Sequence, residues 1–219
     1  MVKKCLITRP KHDLVTAYLY YFSESISTAK SLTGIHVSFL EGPEANRANF
    51  EDCISKEHPN LVFLNGHGNK KEVAGHQNEI ILDEKNIDIT IGKIIYALSC
   101  DSLEDLGQLA VEKGAKAYIG YKARFMFVTD PSREATPSKD KNALPFKRAC
   151  TALMTSLLCG RTVKEAIDET KKEYEHSIKS FGTSEDDPYG PVPLIRFSLA
   201  WNLEFLDMCG DPESYFSES

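Results

Sequence analysis

A chain of 219 residues, 42% hydrophobic and 26% charged, carries enough apolar material for one well-buried core and needs no second domain. Its net charge of −6 argues against a nucleic-acid partner, which requires clustered Lys and Arg, and no apolar run approaches the length of a membrane span. The apolar stretch that follows Lys3-Lys4 is too short for a signal peptide, so a cytoplasmic location is expected, and six scattered cysteines without a Cys-x-x-Cys pair argue for reduced thiols, against both disulfides and zinc.

The first strand is expected at 5–8, ended by Arg9-Pro10. Residues 13–32 follow as a helix, with Leu14, Ala17, Tyr18, Tyr21 and Ser25 along an inward stripe and Gly34 as the stop. Residues 35–40 alternate like a second strand, and 49–57 carry Phe50, Cys53 and Ile54 at helical spacing. Residues 61–64 are uniformly apolar, the composition of a strand covered on both faces, and Asn65-Gly66-His67-Gly68 breaks the run. Residues 79–86 read as a small strand and turn, part of a hairpin expected to project beside the cleft. A second buried run follows at 94–98, then helical spacing through Leu103, Leu106, Leu109, Ala110 and Val111, a stop at Gly114, and another buried strand at 117–120.

After Tyr121 the pattern loosens. Residues 122–142 lose apolar periodicity beyond Val128 and are rich in turn residues and charges, so an exposed, mobile loop is expected. A helix is expected over 146–158, and Thr162 and Glu165 fit a capping box that opens another to about residue 180. Residues 181–193 form a Gly/Pro/Asp-rich loop, and 194–206 a last apolar helix. Strands that alternate with helices predict an α/β fold, a parallel sheet covered on both faces.

Two reactive side chains leave the buried runs at equivalent points. Cys100 ends the strand over 94–98 and His67 ends the one over 61–64, 33 positions earlier. Parallel strands bring their C-terminal ends to one edge, where the loops of an open α/β sheet leave a ligand crevice. A thiol just before a helix also feels that helix's dipole, which favours the thiolate. Gly66 and Gly68 are expected to turn the chain tightly and to leave main-chain N–H groups accessible. His76, in a polar loop, is the rival base and reads as solvated; His12, His36, His58 and His176 read as structural or exposed.

Apolar strand, Asn-Gly-His-Gly, apolar strand, Ser-Cys-Asp, helix, Gly-Ala and Ile-Gly-Tyr together resemble the cysteine peptidases of the caspase-like fold (clan CD), in their gingipain-type and CHAT branches. Near the C-terminus, Trp201-Asn202-Leu203 and Cys209-Gly210-Asp211-Pro212 are similar to the Gly-Asp-Pro ending of gingipain-like domains, so the resemblance spans residues 3–212. The caspase signature Gln-Ala-Cys-Arg-Gly is absent, with Ala97-Leu98-Ser99-Cys100-Asp101 in its place, and a caspase-type preference for aspartate does not follow.

The resemblance implies a single domain over 1–219 with a caspase-like three-layer α/β/α sandwich around a mostly parallel sheet. It implies a cysteine endopeptidase in which Cys100 forms a thioester, His67 is the acid and base, and the N–H groups of Gly68 and Cys100 form the oxyanion hole. Gingipain-like relatives favour a basic residue before the cut and hold it with a carboxylate; Asp101, Asp130 and Glu104 are the candidates here, although Asp101 equally suits tuning the thiol or capping the helix. In the family the segment over 122–142 shapes the specificity pocket and is cut in some members, which makes Arg133, Lys139 and Lys141 candidate self-cleavage points. No cofactor and no metal is implied; the partners are a protein or peptide substrate and a recruiting or activating protein, with no nucleic acid and no membrane. Two alternatives stay open: a catalytically silent interaction module of the same fold, and a different α/β thiol hydrolase, whose downstream histidine would have to be His176.

Overall fold

The computed structural model describes residues 2–24, 26, 34–182 and 190–217. In chain order the elements are β1 (Lys3–Arg9), α1 (Leu14–Phe22), β2 (Ile35–Glu41), α2 (Arg47–Glu57), β3 (Leu61–Asn65), β4 (Gly68–Asn69), β5 (Glu72–Ala74), β6 (Ile80–Asp83), β7 (Ile94–Leu98), α3 (Asp105–Glu112), β8 (Ala117–Tyr121), α4 (Leu144–Leu158), α5 (Val163–Ser180), α6 (Val192–Phe205) and β9 (Leu206–Gly210). Six strands form the central sheet in the order β2-β1-β3-β7-β8-β9; all pair in parallel except β9, which runs against β8.

The period-two alternation of the strands divides the core into two layers. Cys5, Ile7, Leu61, Phe63, Ile94, Tyr96, Leu98, Ala117, Ile119 and Tyr121 face one way, against Tyr18 and Phe22 of α1 and the inward sides of α4, α5 and α6. Leu6, Val62, Leu64, Ile95, Ala97 and Tyr118 face the other way, against Phe50 and Ile54 of α2, Leu106 and Ala110 of α3, and Ile81 and Leu82 of β6. The result is a three-layer α/β/α sandwich, as the alternation of elements predicts. Among the described residues no helix is long and apolar enough to cross a membrane.

The strand order also marks a position. After β1 the chain moves outward to β2, then returns through α2 to β3 on the opposite side of β1, and continues from there to β7. The order therefore reverses between β1 and β3, and at such a switch point the loops beyond the two carboxyl ends diverge and open a crevice.

Several elements differ from the sequence reading. The first helix begins at Leu14 with Asp13 as its cap, and its inward face is Thr16, Tyr18, Leu19 and Phe22, whereas Leu14 is 40% exposed. Packing against the aromatic cluster of Phe22 and Phe127 sets that rotation, which periodicity alone left open. Position 25 and positions 27–32 of the expected helix lie outside the described residues, as do 183–189 of the expected loop. The last helix stops at Phe205, and Leu206–Gly210 forms β9, a strand that went unread because its apolar residues continue the helical run without a break. The hairpin over 79–86 is the outer strand of a three-stranded antiparallel sheet, β4-β5-β6, that opens directly after His67.

The segment over 122–142 is exposed from Pro131 to Thr136 yet tied down on either side. Asn202 of α6 accepts from the Met126 N–H at 2.9 Å and donates to the Met126 carbonyl at 2.6 Å, and Trp201 Nε1 donates to the Arg124 carbonyl at 2.8 Å. At the far end the buried Asp140 carboxylate accepts from the Tyr18 hydroxyl at 2.6 Å and from the N–H groups of Asp130, Asn142 and Ala143.

Candidate active site

β3 and β7 are neighbours, with Asn65 opposite Leu98 at the carboxyl end of the pairing. His67 and Cys100 each stand two residues beyond that pair, so both leave the sheet at the same edge and the same height. One ladder bond survives past the strands, from the Gly66 N–H to the Leu98 carbonyl at 3.4 Å. Beyond it the chains diverge, and the Cys100 N–H has no partner among the described residues.

Glycine is required at 66 and 68 for space. Neither lies in the left-handed region; instead a Cβ on Gly66 would overlap the Ala74 carbonyl oxygen, and one on Gly68 would press on Ser99 Cβ and Oγ at 3.0 Å. The expectation of a turn-forming backbone is corrected in its reason: the His67 segment is packed directly on Ser99, the residue before the thiol. The Ala74 N–H donates to the His67 carbonyl at 2.9 Å, which makes Gly68 and Val73 a non-hydrogen-bonded pair and turns the Gly68 N–H out of the ladder.

His67 has a partner that sequence reasoning missed. Asp13, at the start of α1, divides its carboxylate between two tasks. Oδ1 accepts from the Thr16 N–H and the Thr16 hydroxyl, both at 2.8 Å, in a reciprocal capping box. Oδ2 lies 2.7 Å from His67 Nε2. A carboxylate can only accept, so Nε2 carries the proton and Nδ1, which has no protein partner among the described residues, is left as the basic nitrogen. Burial works to raise the Asp13 carboxyl, but the Thr16 N–H, the His67 ring and the Thr16 hydroxyl outweigh it and hold it down at about 2, so the carboxylate is charged at neutral pH.

Cys100 differs from the expected helix-activated thiol. α3 begins only at Asp105, and Cys100 occupies a bend ahead of it, followed by Asp101 in the left-handed region at φ 55°. The thiol is pushed up from its ordinary value, first by burial and then by the Asp101 charge, against a backbone bond from Phe125 and the charge of Arg124. Among the described residues no hydrogen bond joins the sulfur to His67.

The three candidate carboxylates fare differently. Asp101 is half-buried next to the thiol and makes no hydrogen bond or ion pair with its side chain, and it does not cap α3. Asp130 Oδ1 accepts the Ser132 N–H at 2.9 Å, and Glu104 is held in an ion pair with Lys70. A groove of about 340 Å³ runs beside α1 between Lys11, Tyr20 and Tyr21 and the Glu134 to Ser138 turn. A second groove, of about 610 Å³ between α4 and α5, touches neither His67 nor Cys100.

Two histidines read from sequence as bystanders belong to this site. The His12 side chain is only 12% exposed, both of its ring nitrogens are buried without a hydrogen bond, and its ring centroid lies 6.1 Å from His67 and 5.2 Å from His76. His76 is half-buried, not solvated; its Nδ1 is buried without a partner and its N–H donates to the Ala45 carbonyl at 2.7 Å. The available signal was positional, because Pro10-Lys11-His12-Asp13 follows β1 just as Gly66-His67 follows β3. No family model and no curated protein matches the chain.

Proposed function

We propose that the chain is a cysteine endopeptidase of the caspase-like type, with Cys100 as nucleophile, His67 as acid and base, and Asp13 as the residue that orients His67. The observation that carries the reading is the equal offset of His67 and Cys100 beyond the paired ends of two adjacent parallel strands. It is supported by the two main-chain N–H groups at this edge, of Gly68 and Cys100, which are turned away from or left out of the ladders.

The reaction follows from these groups. His67 Nδ1 takes the thiol proton as the sulfur attacks the scissile carbonyl, and Asp13 stabilises the imidazolium that forms. Because burial raises the Cys100 thiol, proton transfer accompanies the attack and does not precede it as a resting ion pair. The oxyanion is held by the Gly68 and Cys100 N–H groups, each donor contributing about 3 kcal/mol to the transition state. The imidazolium then protonates the leaving amine; water, deprotonated by the same ring, hydrolyses the thioester and restores the thiol. Asp101 is the carboxylate best suited to a basic residue before the cut, since Asp130 and Glu104 are already engaged. Arg133, Lys139 and Lys141 are exposed, as self-cleavage would require.

Cys100→Ala and His67→Ala are each expected to abolish hydrolysis of a peptide library while thermal melts stay near wild type. Residual turnover in either variant would remove the dyad. The raised thiol and the missing sulfur–imidazole bond favour a second reading, a silent interaction module of the same fold. An activity-based electrophile that labels wild type but not Cys100→Ala decides against it.

A further inference from the structure

At the crevice between the carboxyl ends of β1 and β3, four ligating side chains gather: His12 and Asp13 from the first, His67 and His76 from beyond the second. Within this group, one nitrogen from each of His12 and His67 and one Asp13 oxygen all lie within 4.8 Å of one another. We propose that His12, Asp13 and His67 bind a divalent transition-metal ion of the zinc type.

The separations suit such an ion. Zinc bonds of about 2.1 Å in a tetrahedron set ligand atoms about 3.4 Å apart. Asp13 Oδ2 stands 3.6 Å from His12 Nε2 and 2.7 Å from His67 Nε2, so small side-chain rotations open room for the ion. Two imidazoles and a carboxylate also match the preference of zinc for nitrogen and oxygen donors, with a fourth position for water.

A second, independent feature points to a ligand. His12 is largely buried and neither of its ring nitrogens makes a hydrogen bond, the nearest carboxylate oxygen, Asp13 Oδ2, standing 3.6 Å from Nε2, which costs free energy unless something outside the chain satisfies it. A metal on Nε2 answers that, and the Thr16 N–H and hydroxyl already hold Asp13 Oδ1, so Oδ2 is preset toward the histidines as an outer-shell partner would set it. The His76 ring lies 5.2 Å from that of His12. The site also coincides with the reversal of strand order, where an open α/β sheet takes its ligands.

Metal on His67 Nε2 takes the place of the proton shared with Asp13, and the neutral ring then carries its proton on Nδ1, which can no longer accept the Cys100 proton. That consequence rests on the peptidase reading; the binding itself does not.

The test is zinc titration by calorimetry on the purified full chain, with cobalt(II) as a spectroscopic probe. One equivalent is expected to bind wild type and Cys100→Ala equally, and His12→Ala at least tenfold more weakly. Cobalt should give the visible absorption of a tetrahedral nitrogen and oxygen site with no thiolate charge-transfer band. Should His12→Ala fail to fold, His12→Asn and Asp13→Asn, checked by thermal melts, serve in its place. No binding by wild type, unchanged affinity in folded His12 and Asp13 variants, or a thiolate band that vanishes in Cys100→Ala would each overturn the site. An inert chain that binds zinc through His12 leaves this inference standing without the peptidase, and an active chain that binds none does the reverse.

Discussion

Asp140 is the buried charge on which the segment beside the site depends, and its removal has a calculable cost. The carboxylate is 2% exposed and takes four donors: the Tyr18 hydroxyl at 2.6 Å, the Asp130 N–H at 2.8 Å, the Asn142 N–H at 2.9 Å and the Ala143 N–H at 3.3 Å. Burial and this carboxylate push the Tyr18 hydroxyl up, so it remains a donor throughout the working range. Asp140→Ala leaves the Tyr18 hydroxyl and the Ala143 N–H buried without an acceptor, at about 1–3 kcal/mol each, with the other two donors partly rescued by water. The expected loss is about 2–6 kcal/mol, or about 10 °C in Tm near the middle of that range for a chain of this size. Tyr18→Phe removes one donor and leaves the charge three others, so about 1 kcal/mol is expected. Urea denaturation read by the single tryptophan suits the measurement, since Trp201 is bonded to Arg124 at the start of the same segment. If Asp140→Ala loses less than about 1 kcal/mol, the carboxylate is not the anchor described.

The remaining predictions concern the crevice. Burial raises the Cys100 thiol above its ordinary value, so its rate of alkylation by iodoacetamide should still be climbing at pH 9; a plateau below pH 8 would contradict the burial argument. Asp101→Asn removes a charge that raises the thiol and should speed alkylation severalfold at fixed pH, whereas a slower reaction would point to a positioning role for Asp101 instead. Gly66→Ala forces a Cβ onto the Ala74 carbonyl oxygen and should destabilise the chain by about 1–3 kcal/mol in urea, and wild-type stability would show that the His67 segment shifts freely.

What local pattern determined was the architecture. The charge-free apolar runs at 61–64, 94–98 and 117–120 are central strands because only a strand covered on both faces takes apolar residues on both sides of the pleat. The edges His67 and Cys100 occupy were legible for the same reason: an abrupt end to such a run marks where the chain leaves the sheet. The Thr162 and Glu165 capping box, a pairing three residues apart, was equally readable.

Only the tertiary structure decided who meets whom at that edge. β1 lies next to β3, and this adjacency brings Asp13 to His67 across 54 positions and sets His12 against His67 and His76. Strand order is a non-local quantity, fixed by how the helices pack on the sheet, and no period or spacing within one segment encodes it. The rotation of α1, the start of α3 and the elevation of the Cys100 thiol are of the same kind. Each depends on which neighbours exclude water from a residue, and desolvation is a property of the folded surroundings, not of the residue's place in the chain.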